Sequence, residues 1–237
     1  MVLLDFLKNK QKMTVEKESN SAVIDKVELK TKLDNIQKEI FLFLKPLGFK
    51  KSGRTFNRQT EDGIYQVINI QSGKYEFGDK YVIPGLRENY YGKVTVNLGV
   101  MVEELYKLNF KPKNIYQDYD CQIRTRLPLL TMKQDFWWTI LDENQKPADE
   151  IIEGLKSHGL RWFDTFENRD KICENWGVVE GSALRAKLDV ALIIFHRDRE
   201  KGSKLIQEYY DKMQHNYSNH KEYVKELADR LGVKIND

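Results

Sequence analysis

The octapeptide Gly48-Phe-Lys-Lys-Ser-Gly-Arg-Thr55 is one residue away from a phosphate-binding loop, with Arg54 standing where that loop needs lysine. Such a loop works when a buried strand leads into it and a helix follows, so that backbone amides converge on phosphates at the helix N-terminus. Here helical periodicity precedes the octapeptide and a strand-like segment follows, so nucleotide binding is not expected. His196-Arg-Asp198 matches three residues of a protein-kinase catalytic loop, but Ser203 occupies the position that loop reserves for asparagine. The kinase glycine loop and the metal-binding Asp-Phe-Gly are missing too. His196 is instead expected at a helix C-terminus, where a partly charged imidazole suits the dipole.

The other nucleophiles and metal ligands are few: Cys121 and Cys173, with His158, His196, His215 and His220. The cysteines form no CxxC pair, and no ligand spacing typical of zinc is present. Two reduced, buried thiols in a cytoplasmic protein are the expectation. Neither paired carboxylates nor a Ser-His-Asp order can be argued from spacing. The expectation is therefore no catalytic residue, no metal and no cofactor. An enzyme assembled from distant positions stays open as a third function class.

Two surfaces have residue types suited to binding. Between Ile40 and Thr60 there is no acidic residue, while Lys45, Lys50, Lys51, Arg54 and Arg58 are basic and Phe49 and Phe56 lie among them. Lys50, Lys51, Arg54 and Arg58 could hold phosphates while the rings stack on bases. The opposing view puts both phenylalanines in the core and leaves the cations on a solvated turn. The second surface is the polar side of the central strands, where Asn69, Lys93, Thr95, Asn97, Arg124, Arg126 and Trp137 could lie together. Arginines, amides and an aromatic on one sheet face are the groups that dominate protein interfaces.

The 237 residues carry 39 basic and 36 acidic side chains, a net charge of +3, so the whole-chain charge argues for neither nucleic acid nor membrane. With 41% apolar residues, a substantial core is expected. The apolar start Met1–Leu7 is too short for a signal sequence and is interrupted by Asp5; Met13 is an alternative start.

The positioning elements follow from periodicity. Leu33, Ile36, Ile40, Phe43, Leu44 and Leu47 predict a helix over Asp25–Leu44, stopped by Pro46 and Gly48. Strands are predicted over Arg54–Gln59 and Ile64–Gln71, joined at Glu61-Asp-Gly63. A tyrosine-rich insertion fills Ser72–Tyr91. Val94 to Val102 alternate strictly with Lys93 to Met101, which predicts a strand with one buried and one polar face. Tyr119–Leu127 and Asp135–Leu141 are predicted to be two more strands, with Trp137 and Trp138 on opposite faces. Short linkers favour antiparallel pairing. Helical patterns follow from Ile151 to Phe166, weakened by Gly154 and Gly159, and then over Asn168–Trp176. Three further helices are expected: one capped by Ser182, one around Leu205–Met213 and one from near Ser218 to Gly232.

Leu44-Lys-Pro-Leu-Gly-Phe-Lys-Lys-Ser-Gly-Arg-Thr-Phe-Asn-Arg58, Tyr65–Gln71, Val94-Thr-Val-Asn-Leu-Gly99, Arg124-Thr-Arg126 and Trp137-Trp138 together resemble the bacterial domain-of-unknown-function family 4304. The resemblance covers about Asp25 to Phe166. It implies a helix ending in Leu-Gly-Phe, an Arg-Thr-Phe strand and a Val-Asn-Leu-Gly strand. It implies no catalytic residues, and it links the chain to toxin–immunity loci. The expected fold is α+β: an N-terminal helix on a mostly antiparallel sheet, then a helical C-terminal region. The expected organisation is a loosely ordered segment 1–24, an α+β domain 25–166 and a helical extension 167–237. The expected function is a non-enzymatic module binding another protein, of the kind that inhibits a bacterial toxin; a nucleic-acid-binding module is the alternative.

Overall fold

A computed structural model of the chain describes residues 26–73, 75, 81–83, 86, 88–142, 144–177, 184–213 and 218–236. Helix α1 (Lys26–Leu44) buries Ile36, Gln37, Ile40 and Leu44, spaced to lie along one stripe. A 3-10 turn with Pro46 ends it, and Gly48 closes the turn at φ +88° with its N–H donating to the Lys45 carbonyl. This is the stop that Pro46 and Gly48 predict.

Five strands follow as an antiparallel meander in chain order: β1 (Lys50–Ser52), β2 (Thr55–Glu61), β3 (Ile64–Ser72), β4 (Lys93–Val102) and β5 (Ile123–Arg126). A sixth, β6 (Trp138–Thr139), pairs with the start of β4. The fold is α+β with an antiparallel sheet and a helical C-terminal region, as the patterns predict. On one face Ile64, Ile68 and Ile70 stand opposite Val102, Leu98 and Val96. These side chains form a single core with α1 and the later helices, running from Ile36 to Val233.

Three strand expectations change. Strand β4 is buried on both faces, because Tyr106, Tyr116 and Cys121 close over Val67 and Met101 as a second, smaller core. Gly99 permits this closure: a Cβ there would meet Cys121 Sγ at 2.5 Å. Tyr119–Leu127 yields only the four residues of β5, since Asp118–Asp120 form a 3-10 turn and Leu127 begins helix α3 (Leu127–Thr131). Pro128 at its first turn suits a helix start and cannot extend a ladder. Asp135–Leu141 shrinks to the two residues of β6, the only ones paired with β4.

Helix α2 (Glu103–Lys107) leaves the end of β4. Helices α4 (Pro147–Gly154) and α5 (Leu160–Asp164) are joined without a break by a π turn, Leu155–Gly159. Gly154 and Gly159, predicted to weaken this helix, are its contact points. Added Cβ atoms would meet Leu127 at 3.3 and 3.4 Å, so the missing side chains let the helix lie close on α3. Asn168 caps α6 (Arg169–Asn175) by accepting from the Lys171 N–H. Arg169 then ties α6 to Glu104 of α2 at 2.7 Å and to Glu61 at 2.9 Å.

The last three helices are α7 (Leu184–Arg197), α8 (Arg199–Asp211) and α9 (Ser218–Leu231). His196 lies in the last turn of α7, as expected. The predicted Ser182 cap falls outside the described residues, as do nine of the twenty residues of the Ser72–Tyr91 insertion and residues 1–25. Asp189 of α7 is 5% exposed, with Arg185 Nε at 3.8 Å. The buried Trp176 indole N–H lies towards this carboxylate but outside hydrogen-bonding geometry. Burial raises the Asp189 pKa to about 6, against the weaker opposing effect of Arg185.

A folded-state pKa raised above the unfolded value means that the native state holds the proton more tightly. This contribution to stability is complete below about pH 4 and is lost as pH rises through about 6. Asp189→Asn is therefore expected to flatten the stability profile across that window and to raise stability at pH 8 by about 1–3 kcal/mol. Urea denaturation at a series of pH values checks this, and a variant profile parallel to the parent's would refute it.

Candidate functional site

The Tyr106–Cys121 cover reaches over only part of the second sheet face. Antiparallel register aligns the remainder in rows. Thr55 stands opposite Asn69, Asn69 opposite Asn97, and Asn97 opposite Arg126, so one polar row crosses β2, β3, β4 and β5. In the next row Gln71 stands opposite Thr95. Trp137 precedes the Val94↔Trp138 pair by one residue, which brings it beside Thr95. Over these rows lies a cavity of about 710 Å³ lined by Asn69, Gln71, Asn97, Arg54, Arg126 and Trp137. Gln117, Asp118 and Tyr119 supply its other wall. Arg124 and Arg126 also line an adjoining cavity of about 450 Å³, with Asp118, Asp135 and Leu129.

Hydrogen bonds hold the floor in place. Asn69 Nδ2 donates to Thr55 Oγ1 at 2.8 Å, and that hydroxyl donates to Gln117 Oε1 at 2.6 Å. Asn97 Nδ2 donates to Gln71 Oε1 at 3.0 Å. The Arg54 guanidinium bonds the Ser72 hydroxyl, and Arg126 pairs with Asp135. Arg126 lies 5.6 Å from the centre of the Trp137 ring, which stacks on Tyr90 at 4.3 Å. Burial raises the Asp118 carboxyl above its usual range, while Arg124 and Arg126 act in the opposite sense. Among the described residues, two buried polar atoms of this site have no hydrogen-bond partner, Thr95 Oγ1 and Trp137 Nε1. An unmet buried donor costs about 1–3 kcal/mol.

The residues named for partner binding are thus largely together. Asn69, Asn97, Arg126 and Trp137 line one cavity, Arg124 its neighbour, and Thr95 lies in the floor row. Lys93 sits further along β4, half-buried opposite Thr139 and outside the lining. Trp138 faces the core at 2% exposure, opposite to Trp137 in role as the alternation predicts. Gln71 was legible as the next same-face residue after Asn69. Gln117, Asp118 and Tyr119 come from a non-periodic loop and carried no signal.

The basic segment does not form one patch. Phe49 and Phe56 are in the core. Arg58 stacks 4.7 Å from the Phe49 ring centre and donates to the Leu47 carbonyl at 3.1 Å and to Gln66 Oε1 at 2.6 and 3.0 Å. Lys50 and Lys51 are exposed on β1, while Arg54 turns to the cavity. Among the described residues no group of three or more His, Cys, Asp or Glu could hold a metal ion. No described helix is long and apolar enough to cross a membrane.

A family model described as a domain of unknown function, DUF4304, matches residues 42–165. That span holds the whole sheet and both cavities described here; the first part of α1 and helices α6 to α9 lie outside it. No curated protein matches the chain, and no solved structure does.

Arg58→Ala is expected to destabilise the fold by about 2–3 kcal/mol, because it strands the Leu47 carbonyl and Gln66 and removes a packed side chain. Arg58→Lys should recover little, since one ammonium cannot reproduce the forked contacts. Lys50→Ala and Lys51→Ala should stay within about 0.5 kcal/mol of the parent. Chemical denaturation of the four variants checks the ranking.

Proposed function

We propose, from the premise that the chain belongs to the DUF4304 family of domains of unknown function, that it is a non-enzymatic protein-binding module. Its contact surface is the uncovered half of the second sheet face, and its form is that of an immunity-type inhibitor of a toxin. The observation that carries this reading is the alignment of Thr55, Asn69, Asn97 and Arg126 in one row beneath a cavity, with Asn69 bonded to Thr55 and Asn97 to Gln71. A preset polar floor costs little entropy to engage.

The rim supports the same reading. Tyr75 is 78% exposed, Tyr119 68% and Leu129 42%, and all three line the two cavities. Exposed aromatics around arginines and amides are the composition of interface hot spots. The described lining of the larger cavity includes no histidine, cysteine or lysine, and its serine hydroxyl is bonded to Arg54. A Ser–His or Cys–His pair is therefore lacking from that lining, whose carboxylates are Asp118 and Glu88. The nucleic-acid alternative loses Arg58 to the Leu47–Gln66 contacts and Arg54 to the cavity, which leaves Lys50 and Lys51 on β1.

Co-expression with the product of the adjacent gene tests the proposal. The parent chain is expected to co-purify with that product and to relieve any growth defect it causes. Arg124→Ala with Arg126→Ala should weaken binding at least about tenfold, the size of a moderate hot spot, while leaving thermal stability within a few degrees. Binding that is unchanged in the double variant, or absent in the parent, would overturn the assignment.

A further inference from the structure

The described lining of the larger cavity is balanced in charge, with Arg54 and Arg126 set against Glu88 and Asp118. Arg126 is paired besides with Asp135. What the lining holds in excess is carboxamide, from Asn69, Gln71, Asn97 and Gln117. Each spends only part of its bonding capacity within the floor. Asn69 and Asn97 donate through Nδ2, while Gln71 and Gln117 accept at Oε1. Among the described residues this leaves Asn69 Oδ1 and Asn97 Oδ1 as unused acceptors, and Gln71 Nε2 and Gln117 Nε2 as unused donors. Trp137 Nε1 adds an unmet donor beside them. Register sets the two kinds in adjacent rows, with Asn69 opposite Asn97 and Gln71 opposite Thr95. Same-face residues two apart on a strand lie about 7 Å from each other. A carboxylate only accepts and an ammonium only donates, whereas a carboxamide does both from one carbon. A charged group entering a balanced lining would also give up its hydration with no net counter-charge in return.

We propose that the cavity over β3, β4 and β5 receives an uncharged segment of a partner protein, with an Asn or Gln carboxamide entering between the Asn69–Asn97 row and the Gln71–Thr95 row. This rests on the reading that the face binds protein, and it adds the chemistry of what enters. The entering oxygen accepts from Gln71 Nε2, and the entering N–H groups donate to the Oδ1 atoms of Asn69 and Asn97. Tyr119 and Tyr75 then lie at the rim against the flanking residues of the segment. Binding of this kind is nearly independent of salt, because the group that enters brings no net charge.

The indole N–H at the cavity is also the means of testing the idea. In the 15N-labelled chain, the side-chain signal lost on Trp137→Phe identifies Trp137 among the indole resonances. The probe is acetyl-Asn-Gln-Asn-Gln-amide, with its Asp/Glu and Lys/Arg counterparts and the neutral sugar cellobiose as comparisons. The carboxamide peptide is expected to shift the Trp137 signal saturably, with affinity changing less than about twofold between about 0.05 and about 0.5 M salt. Gln71→Glu keeps the oxygen to which Asn97 donates and removes the unused donor. It should weaken the peptide about tenfold, the worth of one good hydrogen bond, while the remaining spectrum shows an intact fold. A silent Trp137 signal, an equal or stronger response to either charged peptide, or tighter binding of cellobiose would overturn the proposal. So would full binding to the Gln71→Glu variant. If the adjacent-gene product still binds through Arg124 and Arg126 while the peptide is silent, the carboxamide segment is wrong and the protein-binding reading stands. If that product fails to bind as well, both fall.

Discussion

Burial of β4 on both faces is the constraint from which the rest of the molecule follows. On one side Val94, Val96, Leu98, Val100 and Val102 fill the core under the helices. On the other, Met101 is sealed beneath Tyr106 and Tyr116. The seal depends on Gly99, because any side chain there would collide with Cys121. Backbone against thiol is a close approach that only glycine permits. The cover therefore closes at Gly99, and two residues earlier on the same face Asn97 is left beneath a cavity.

Within that uncovered half, polar groups are arranged by each other more than by the core. Asn69 is fixed through Thr55 to Gln117, and Asn97 through Gln71. Such networks keep side chains in one rotamer. Two arginines show how burial decides use. Arg58 is drawn into the protein, where its guanidinium supports the Leu47 turn and burial lowers its pKa. Arg126 stands at the cavity against one face of Trp137, with an exposed aspartate as its counterion. Both are basic residues in strands, and only their surroundings separate a structural role from a surface one.

The elements differ in how far they could be read in advance. Helix α1, its Pro46–Gly48 stop, and strands β2 to β4 lie within a residue or two of their predicted limits, because each is a local period with a local stop. The strands around Arg124 and Trp137 are much shorter than their alternation suggests. Alternation records which way side chains point, whereas a strand also needs a neighbour to pair with, and beyond β5 and β6 none is paired. Gly154 and Gly159 show the reverse error. Their low helix propensity was legible, but the close packing on Leu127 that offsets it is a contact between distant segments.

By itself the sequence determined that Thr95, Asn97, Arg124 and Arg126 would lie on the polar side of their strands, since a period of two is a property of the extended backbone. It also carried the family resemblance, through motifs that sit on those strands. Only the tertiary structure decided that the strands stack in register, with Asn69, Asn97 and Arg126 in one row. It alone decided that half of the polar side is closed by Tyr116 and Cys121 while half stays beneath a cavity. Side-chain direction is set by neighbours one and two residues away. Which surface is covered depends on a loop that packs across three strands, and no local pattern encodes that.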